Sequence, residues 1–547
     1  MRYNLSLCAA VVAVGLAAAC GQHGAPVKAR DPVPAAVLFP GLGGLHHPIA
    51  TSNPLAQQFF DQGLTFVYAF NFLEAVHSFQ RAAALDPRTP MPEWGIALAR
   101  GPNFNGSHVS AARGRLAFNA IQRASLLAAD APPRERAYVN ALAARFSGDP
   151  EADQDRLARN YAAAMQQLYQ TYADDPDAAT LYAESLMDLH AWRLWTPEGR
   201  PAEGTDEILA ILDQVLQRWP THIGANHFLI HALEASPYPK RALPSAQRLA
   251  LLAPAAGHLV HMPAHLYMRT GDYTAAVRST EAAEAADDKY LAARAITNGS
   301  YFSGYAEHNL QFLATAATMD GELDVARRAA QKLQTEADVS PAGQAFQSTI
   351  YFVLIRFARW REILSMPQPA AQLPATSVFW HYARGCALAG LGRADPAEAE
   401  LVAMGAERAA FLPAGELPML GPWRALGQLA FDCLSARIAT ARGDRSAAVT
   451  EWQAAVAVQD TMSYHEPPAW YPVRESLGAA LLLDRQPAGA ESAFREDLAV
   501  NPDNPRSLFG LSLALSEQGR AGAAERARQE SLQGWKGDPG MLRIGAY

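Results

Sequence analysis

The 547-residue chain is poor in cysteine, with four, and modest in charge, with 18% Asp, Glu, Lys and Arg. No CxxC or CxxCH occurs, which argues against c-type haem attachment, thioredoxin-like chemistry and cysteine-rich zinc sites. No Gly-rich phosphate loop, GxSxG elbow, HExxH or paired-carboxylate motif is found either. The net charge of −8 carries no basic stripe or block, so the electrostatic footprint of a nucleic-acid binder is missing. Past the first nineteen residues no apolar run is long enough to span a bilayer. What remains is rich in Ala and Leu, which favours helix.

The N-terminus has Arg2 and then an apolar run from Leu5 to Ala19, too short for a membrane span and suited to a signal peptide over residues 1–19. It ends Leu16-Ala17-Ala18-Ala19-Cys20-Gly21, which resembles the lipobox of bacterial lipoproteins, with Ala17 where leucine is usual. That resemblance implies lipidation of Cys20 and, with Gly21 following, a place on the periplasmic face of the outer membrane. Ordinary cleavage after Ala19 would instead leave a soluble periplasmic protein. The membrane is then contacted through the N-terminal lipid only. Cys386 and Cys433 lie in apolar helical surroundings and are either buried thiols or a disulfide.

Residues 20–52 are rich in Pro, Gly and Ala and form an extended arm or tether. From Asn53 onward Phe59, Gly63, Phe66, Ala75, Phe79, Ala82 and Pro87 stand at tetratricopeptide-repeat spacing. The frame returns at Ile230 to Pro254, Ala264 to Ala283, Gly321 to Leu333, Gly478 to Pro502 and Ser512 to Ala524, with an insertion near Asp287 to Gly299. The expected fold is all-α: an α-solenoid of helix–turn–helix repeats in two stacked arrays, 53–365 and 377–547, joined by a proline-rich linker at 366–376.

Seven of the fifteen histidines fall between Thr221 and Gln311. His227 and His231 are matched 34 residues later by His261 and His265, and 34 residues is one helix–turn–helix repeat. The i, i+4 spacing sets each pair on one helix face. In tetratricopeptide repeats the first helix of each unit lines a concave groove. Resemblance to such repeats implies that Gly224, His227, His231 and Glu234 face the groove, followed by His258, His261, His265 and Met268, then His308, while His222 sits in the turn before its helix. Neighbouring helices pack about 8–10 Å apart, so imidazoles on facing rungs can converge on one metal or a close pair. A thiolate-free histidine set suits Cu, Fe or Zn and excludes an all-oxygen calcium site. Glu234 is the candidate ligand or general base, and His222 an outer candidate.

Weaker candidates surround these. Glu184 either faces the groove or is a solvated helix residue. His46-His47 lies on an arm that either folds back over the groove or leaves the pair as a surface dipeptide, and the surface dipeptide is the expectation. Asn103-Phe104-Asn105 and Glu466-Pro467-Pro468-Ala469-Trp470 are rigid aromatic loops that wall a pocket or cap helices. His23, His108 and His381 carry no pattern.

The runs His222-x-Gly-Ala-x-His227-x-x-Ile-His231-x-x-Glu234-x-Ser236 and His258-x-x-His261-Met-Pro-x-His265-x-Tyr267 resemble a family of exported bacterial tetratricopeptide-repeat proteins of poorly defined function. His46-His47-Pro-Ile, Phe60-Asp61-Gln62-Gly63-Leu64, Gly101-Pro102-Asn103, Ala306-Glu307-His308-Asn309 and Glu466-Pro467-Pro468 look like motifs of the same family. The resemblance implies the fold but no reaction, and Phe72 stands where a histidine is expected. Three functions follow: a metal-dependent oxidoreductase or hydrolase acting on a small molecule, a non-catalytic metal-binding or delivery protein, or a scaffold holding a peptide or envelope protein in the concave groove.

Overall fold

The computed structural model describes residues 36–296, 299, 301–411, 416–417, 421–462, 464 and 470–546. The segment expected to be a signal peptide, Cys20, His23, the first part of the arm and residues 466–469 lie outside the described residues. Helix follows helix along the chain, and among the described residues the one strand pair is Glu416–Leu417 against Gly421–Pro422. The fold is an all-α solenoid. Among the described residues no helix is long and apolar enough to cross a membrane.

The helix starts are written locally. Asn53, Asp175 and Asn504 accept hydrogen bonds from first-turn amides, and each is followed at once by proline, whose missing N–H costs nothing there. Pairing then rests on glycine against aromatic. Phe79 is fully buried between Gly63 and Gly95, and a Cβ on either glycine would lie 2.6 Å from its ring. Phe494 is held in the same way by Gly478 and Gly510, where a Cβ would come within 2.6 and 2.2 Å. Both sets run glycine, aromatic, glycine at sixteen-residue steps (63, 79, 95 and 478, 494, 510), so one packing device serves both ends of the chain.

Two segments depart from a plain repeat. Much of the expected insertion at 287–299 is helix, because Tyr273–Arg294 continues for 22 residues. The extension reaches back to the first repeat: Tyr290 Oη donates to Asn71 and Glu74, and Arg294 Nε lies 2.9 Å from Glu74. The described arm is also docked. Phe39 N donates to Gln62, Ala255 N donates to the Gly41 carbonyl, and Leu42 and Ile49 are buried.

Residues 366–373 form a short loop between helices Trp360–Ser365 and Pro374–Gly390, and the Pro341–Arg356 helix packs directly on Pro374–Gly390. The apolar core falls into two clusters. One cluster takes Leu42 to Leu266 and the other Ala264 to Leu542, so the two meet within helix Pro263–Thr270.

Candidate metal centre

The first histidine pair lies on helix Ile223–Glu234, which is buried along its whole length. The second pair spans an interrupted helix: Gly257–His261 ends where Pro263 removes an N–H, and Pro263–Thr270 resumes at once. Met262 between them keeps right-handed helical angles, so His258, His261 and His265 stay on one side. His308 enters on Glu307–Asp320 after a π-helical turn at Phe302–Ala306, a local irregularity frequent at functional sites.

These elements bring six imidazoles together as two trios. His227, His231 and His258 form one, and His261, His265 and His308 the other. Within each, one ring nitrogen per residue lies within 4.8 Å of the others. The trios adjoin: the His231 and His265 rings are 5.9 Å apart, and those of His258 and His261 6.0 Å. No member is more than 4% exposed.

The hydrogen bonds fix which nitrogen points inward. His227 Nδ1 donates to the Tyr68 carbonyl at 2.6 Å. His231 Nδ1 donates to Glu234 Oε1 at 2.6 Å, and His265 Nδ1 to Glu234 Oε2 at 2.5 Å. A donor on Nδ1 leaves a lone pair on Nε2, the arrangement in which metal-binding imidazoles are oriented by carboxylates and carbonyls. Nε2 of His227 and of His231, both nitrogens of His258, and Nδ1 of His261 are buried with no hydrogen-bond partner among the described residues. Nε2 of His261 and Nε2 of His265 approach to 2.8 Å. The residues fit a bound transition metal: several buried nitrogens stand close together, and no group among the described residues answers those of His227, His231, His258 and His261.

Burial, reinforced by neighbouring imidazoles, pushes His227, His258 and His261 well below the usual histidine range. Burial also lowers His231, against the pull of Glu234. These four rings are therefore neutral near pH 7, the form that ligates metal. Burial pushes Glu234 up, but His265 and His231 outweigh it and hold the carboxyl below its usual range.

Three expectations change. Glu234 is not placed as a free base, because both its oxygens already accept from imidazoles; it connects one trio to the other. His222 lies outside both trios. Its Nδ1 accepts from Ala225 N at the start of its helix, and its Nε2 donates to Asp177 at 3.1 Å, so both nitrogens are used. His47 is buried rather than superficial, its Nδ1 donating to Asp177 Oδ2 at 2.8 Å, while His46 is exposed beside Asp61. Asp177 also accepts from Tyr68 Oη at 2.6 Å, and the Tyr68 carbonyl is the one that holds His227. Glu184 is buried with Arg145 and Asp188 rather than solvated, in neither trio, and lines a small cavity with Phe70 and Phe72. His108 and His381 pair with Asp155 and Glu400 elsewhere.

Aromatic residues that the sequence marks weakly or not at all close the site. Phe70, whose φ of 55° is left-handed, sets its ring 4.6, 5.8 and 5.2 Å from His227, His231 and His258. Phe104 of the Asn103–Asn105 loop lies 5.2 Å from His231, and Phe312 4.6 Å from His261. Phe72, in the place of the expected histidine, stacks on Phe70 at 5.5 Å. These rings exclude water from the trios. Phe312 falls one turn after His308 and was readable by spacing; Phe70 and Phe104 come from distant repeats.

No protein-family model and no curated protein matches the chain. Among solved structures it is similar to human IFIT1, solved as a dimer with m7Gppp-AAAA, at 14% identity over 89% of this chain and 91% of that one, with a TM-score of 0.33. It is also similar to the APC/C hetero-tetramer Cut9-Hcn1, at 13% identity, 90% and 89% coverage and a TM-score of 0.29. Yeast Tom70 follows at 10% identity, 88% and 90% coverage and a TM-score of 0.31. Likeness at this level carries no argument about what the present chain binds.

Proposed function

We propose that this protein is a metalloprotein whose two histidine trios hold a close pair of transition-metal ions, Cu, Fe or Zn, in service of an oxidation or hydrolysis of a small molecule. The observation that carries the proposal is the orientation of the six buried rings. Three are fixed through Nδ1 by Glu234 or the Tyr68 carbonyl, and buried nitrogens of His227, His231, His258 and His261 have no partner among the described residues. A metal bound there supplies a Lewis-acid or redox centre. The chain's own residues do the rest. Glu234 orients a ligand in each trio, Phe70 and Phe104 keep the rings dry, and Tyr464 carries contact outward by donating to Glu234 Oε2 at 3.4 Å.

A non-catalytic metal-binding or delivery protein is the second reading, favoured by the near-complete burial of all six rings. For localisation we propose an exported lipoprotein held at the periplasmic face of the outer membrane through Cys20.

Elemental analysis of protein purified without chelators is expected to find two metal ions per chain. His231→Ala combined with His265→Ala removes one ligand from each trio and is expected to abolish stoichiometric metal while leaving helicity largely intact, since solenoid stability comes from stacked apolar faces. Full metal in the double variant, or none in the native protein, refutes the proposal.

A further inference from the structure

One turn beyond the second trio the groove opens into a cavity of about 330 Å³. Met268 and Arg269 follow His265 into its wall, and Gln311 follows His308. The far wall comes from helix Pro341–Arg356 and from C-terminal segments that include Tyr464, Trp470 and Tyr471. Two contacts tie the cavity to the centre through Glu234: Tyr464 Oη reaches its Oε2, and Arg269 Nε donates to its carbonyl at 3.1 Å.

The charges lining this cavity do not cancel. Arg356 is held by both oxygens of Glu475 at 2.7 and 2.8 Å, and Arg474 by both oxygens of Asp460 at the same distances. Asp497 accepts from Asn501, Asn504 and Ser507, and burial pushes its carboxyl up to about 7, which reduces its negative charge. Arg269 differs. Its guanidinium donates to the carbonyls of Glu234 and Val500 and lies 5.5 Å over the Tyr464 ring, and no carboxylate pairs with it among the described residues. A half-buried guanidinium beside a cavity is suited to receive a carboxylate. The remaining wall is mixed: Thr315, Thr318 and Thr349 alternate with an apolar patch in which the Trp470 ring lies 4.8 Å from Phe352 and 5.5 Å from Tyr471.

We infer that this cavity binds a small organic acid, its carboxylate on Arg269 and its apolar or aromatic body against Phe352 and Trp470. The inference rests on the metal-centre reading for its chemistry, since it names the substrate class of that centre, but the binding itself uses no metal. A cavity of this size with a few placed polar groups is typical of a small-molecule site.

The test is calorimetric titration of the full chain with phenylacetate, indole-3-acetate and octanoate, with phenylacetamide and indole-3-acetamide as uncharged controls. Protein as purified and protein stripped by chelator are both used, with metal content measured on each. At least one carboxylate should bind one to one with Kd below about 1 mM, and at least tenfold tighter than its amide. Arg269→Gln should weaken the carboxylate at least tenfold and leave the amide unchanged; Arg269→Lys should recover part of the loss. Thr315→Phe, which fills the cavity, should abolish binding of both. Equal binding of acid and amide, or no saturable binding of any acid to folded wild-type protein, overturns the inference without need of a variant. Selective acid binding by protein that never carries metal would sustain it and sink the metal centre. Two metal ions without acid selectivity would do the reverse.

Discussion

Replacing Glu234 with glutamine keeps the side chain's volume and removes its charge. In the native site Oε1 accepts from His231 at 2.6 Å and Oε2 from His265 at 2.5 Å, so one buried carboxylate fixes a tautomer in each trio. Glutamine has one oxygen and one N–H₂ group. The oxygen can serve one imidazole, but the amide nitrogen then faces the Nδ1–H of the other. That ring must move its proton to Nε2, which caps the nitrogen meant for metal, or swing away. Loss of such an orienting partner costs about 10–100-fold in metal affinity, or about 1.4–2.7 kcal/mol. Because Glu234 serves both trios, both should weaken, one through the wrong tautomer and the other through loss of a charge-assisted bond. Competition of metal-loaded wild-type and Glu234→Gln protein against a chromophoric chelator reads the affinities, with circular dichroism confirming unchanged helix. If both sites keep affinity within about threefold, Glu234 does not orient the ligands and the two-trio reading loses its connection.

Metal removal should make stability acid-sensitive. The imidazoles of His227, His231, His258 and His261 are held below the range of about 6.5 that they have in the unfolded chain, so below that pH the unfolded chain binds more protons. Stability is then fully present above about pH 6.5 and lost as pH falls, by up to about 1.4 kcal/mol per pH unit for each ring that stays neutral in the fold. Urea midpoints of chelator-treated protein should drop accordingly, and a midpoint flat between about pH 7 and pH 5 contradicts this. Gly257→Ala would place a Cβ 1.9 Å from Asp287 Oδ1, and Asp287 is pinned by Tyr301 and Asn309 at 2.7 Å each. The expected cost is about 1–3 kcal/mol, with displacement of His258, read by thermal melting and metal content; a wild-type melting temperature refutes it. Cys20→Ala should move the protein from the membrane to the soluble periplasmic fraction, and unchanged membrane association defeats the lipidation proposal.

The parts of the site that repeat were legible in the sequence, and the parts that close it were not. His227, His231, His261 and His265 stand out because a 3.6-residue turn and a 34-residue unit select the same positions. His258 and His308 follow once the register is set. Phe70, Tyr68 and Phe104 reach the trios by the winding of the solenoid, across separations of more than a hundred residues that no local spacing records. His47 is buried by Asp177, 130 residues away. The role of Glu234 was half visible. Its face was right, but only the folded structure shows that both oxygens are already taken.

The placement of the trios bears on why the histidines are there at all. Helix Pro263–Thr270 gives Leu266 to one apolar core and Ala264 and Met268 to the other, with His265 between them. The imidazoles therefore occupy a seam that alanine or leucine could fill. Instead the seam holds nitrogens of His227, His231, His258 and His261 with no partner among the described residues. Each such buried group costs about 1–3 kcal/mol in the metal-free protein, a sum comparable to the whole stability of a typical domain. Packing alone favours removing them. A ligand that answers all of those nitrogens at once reverses the sign, turning the seam from the weakest part of the stack into a cross-link between its two cores.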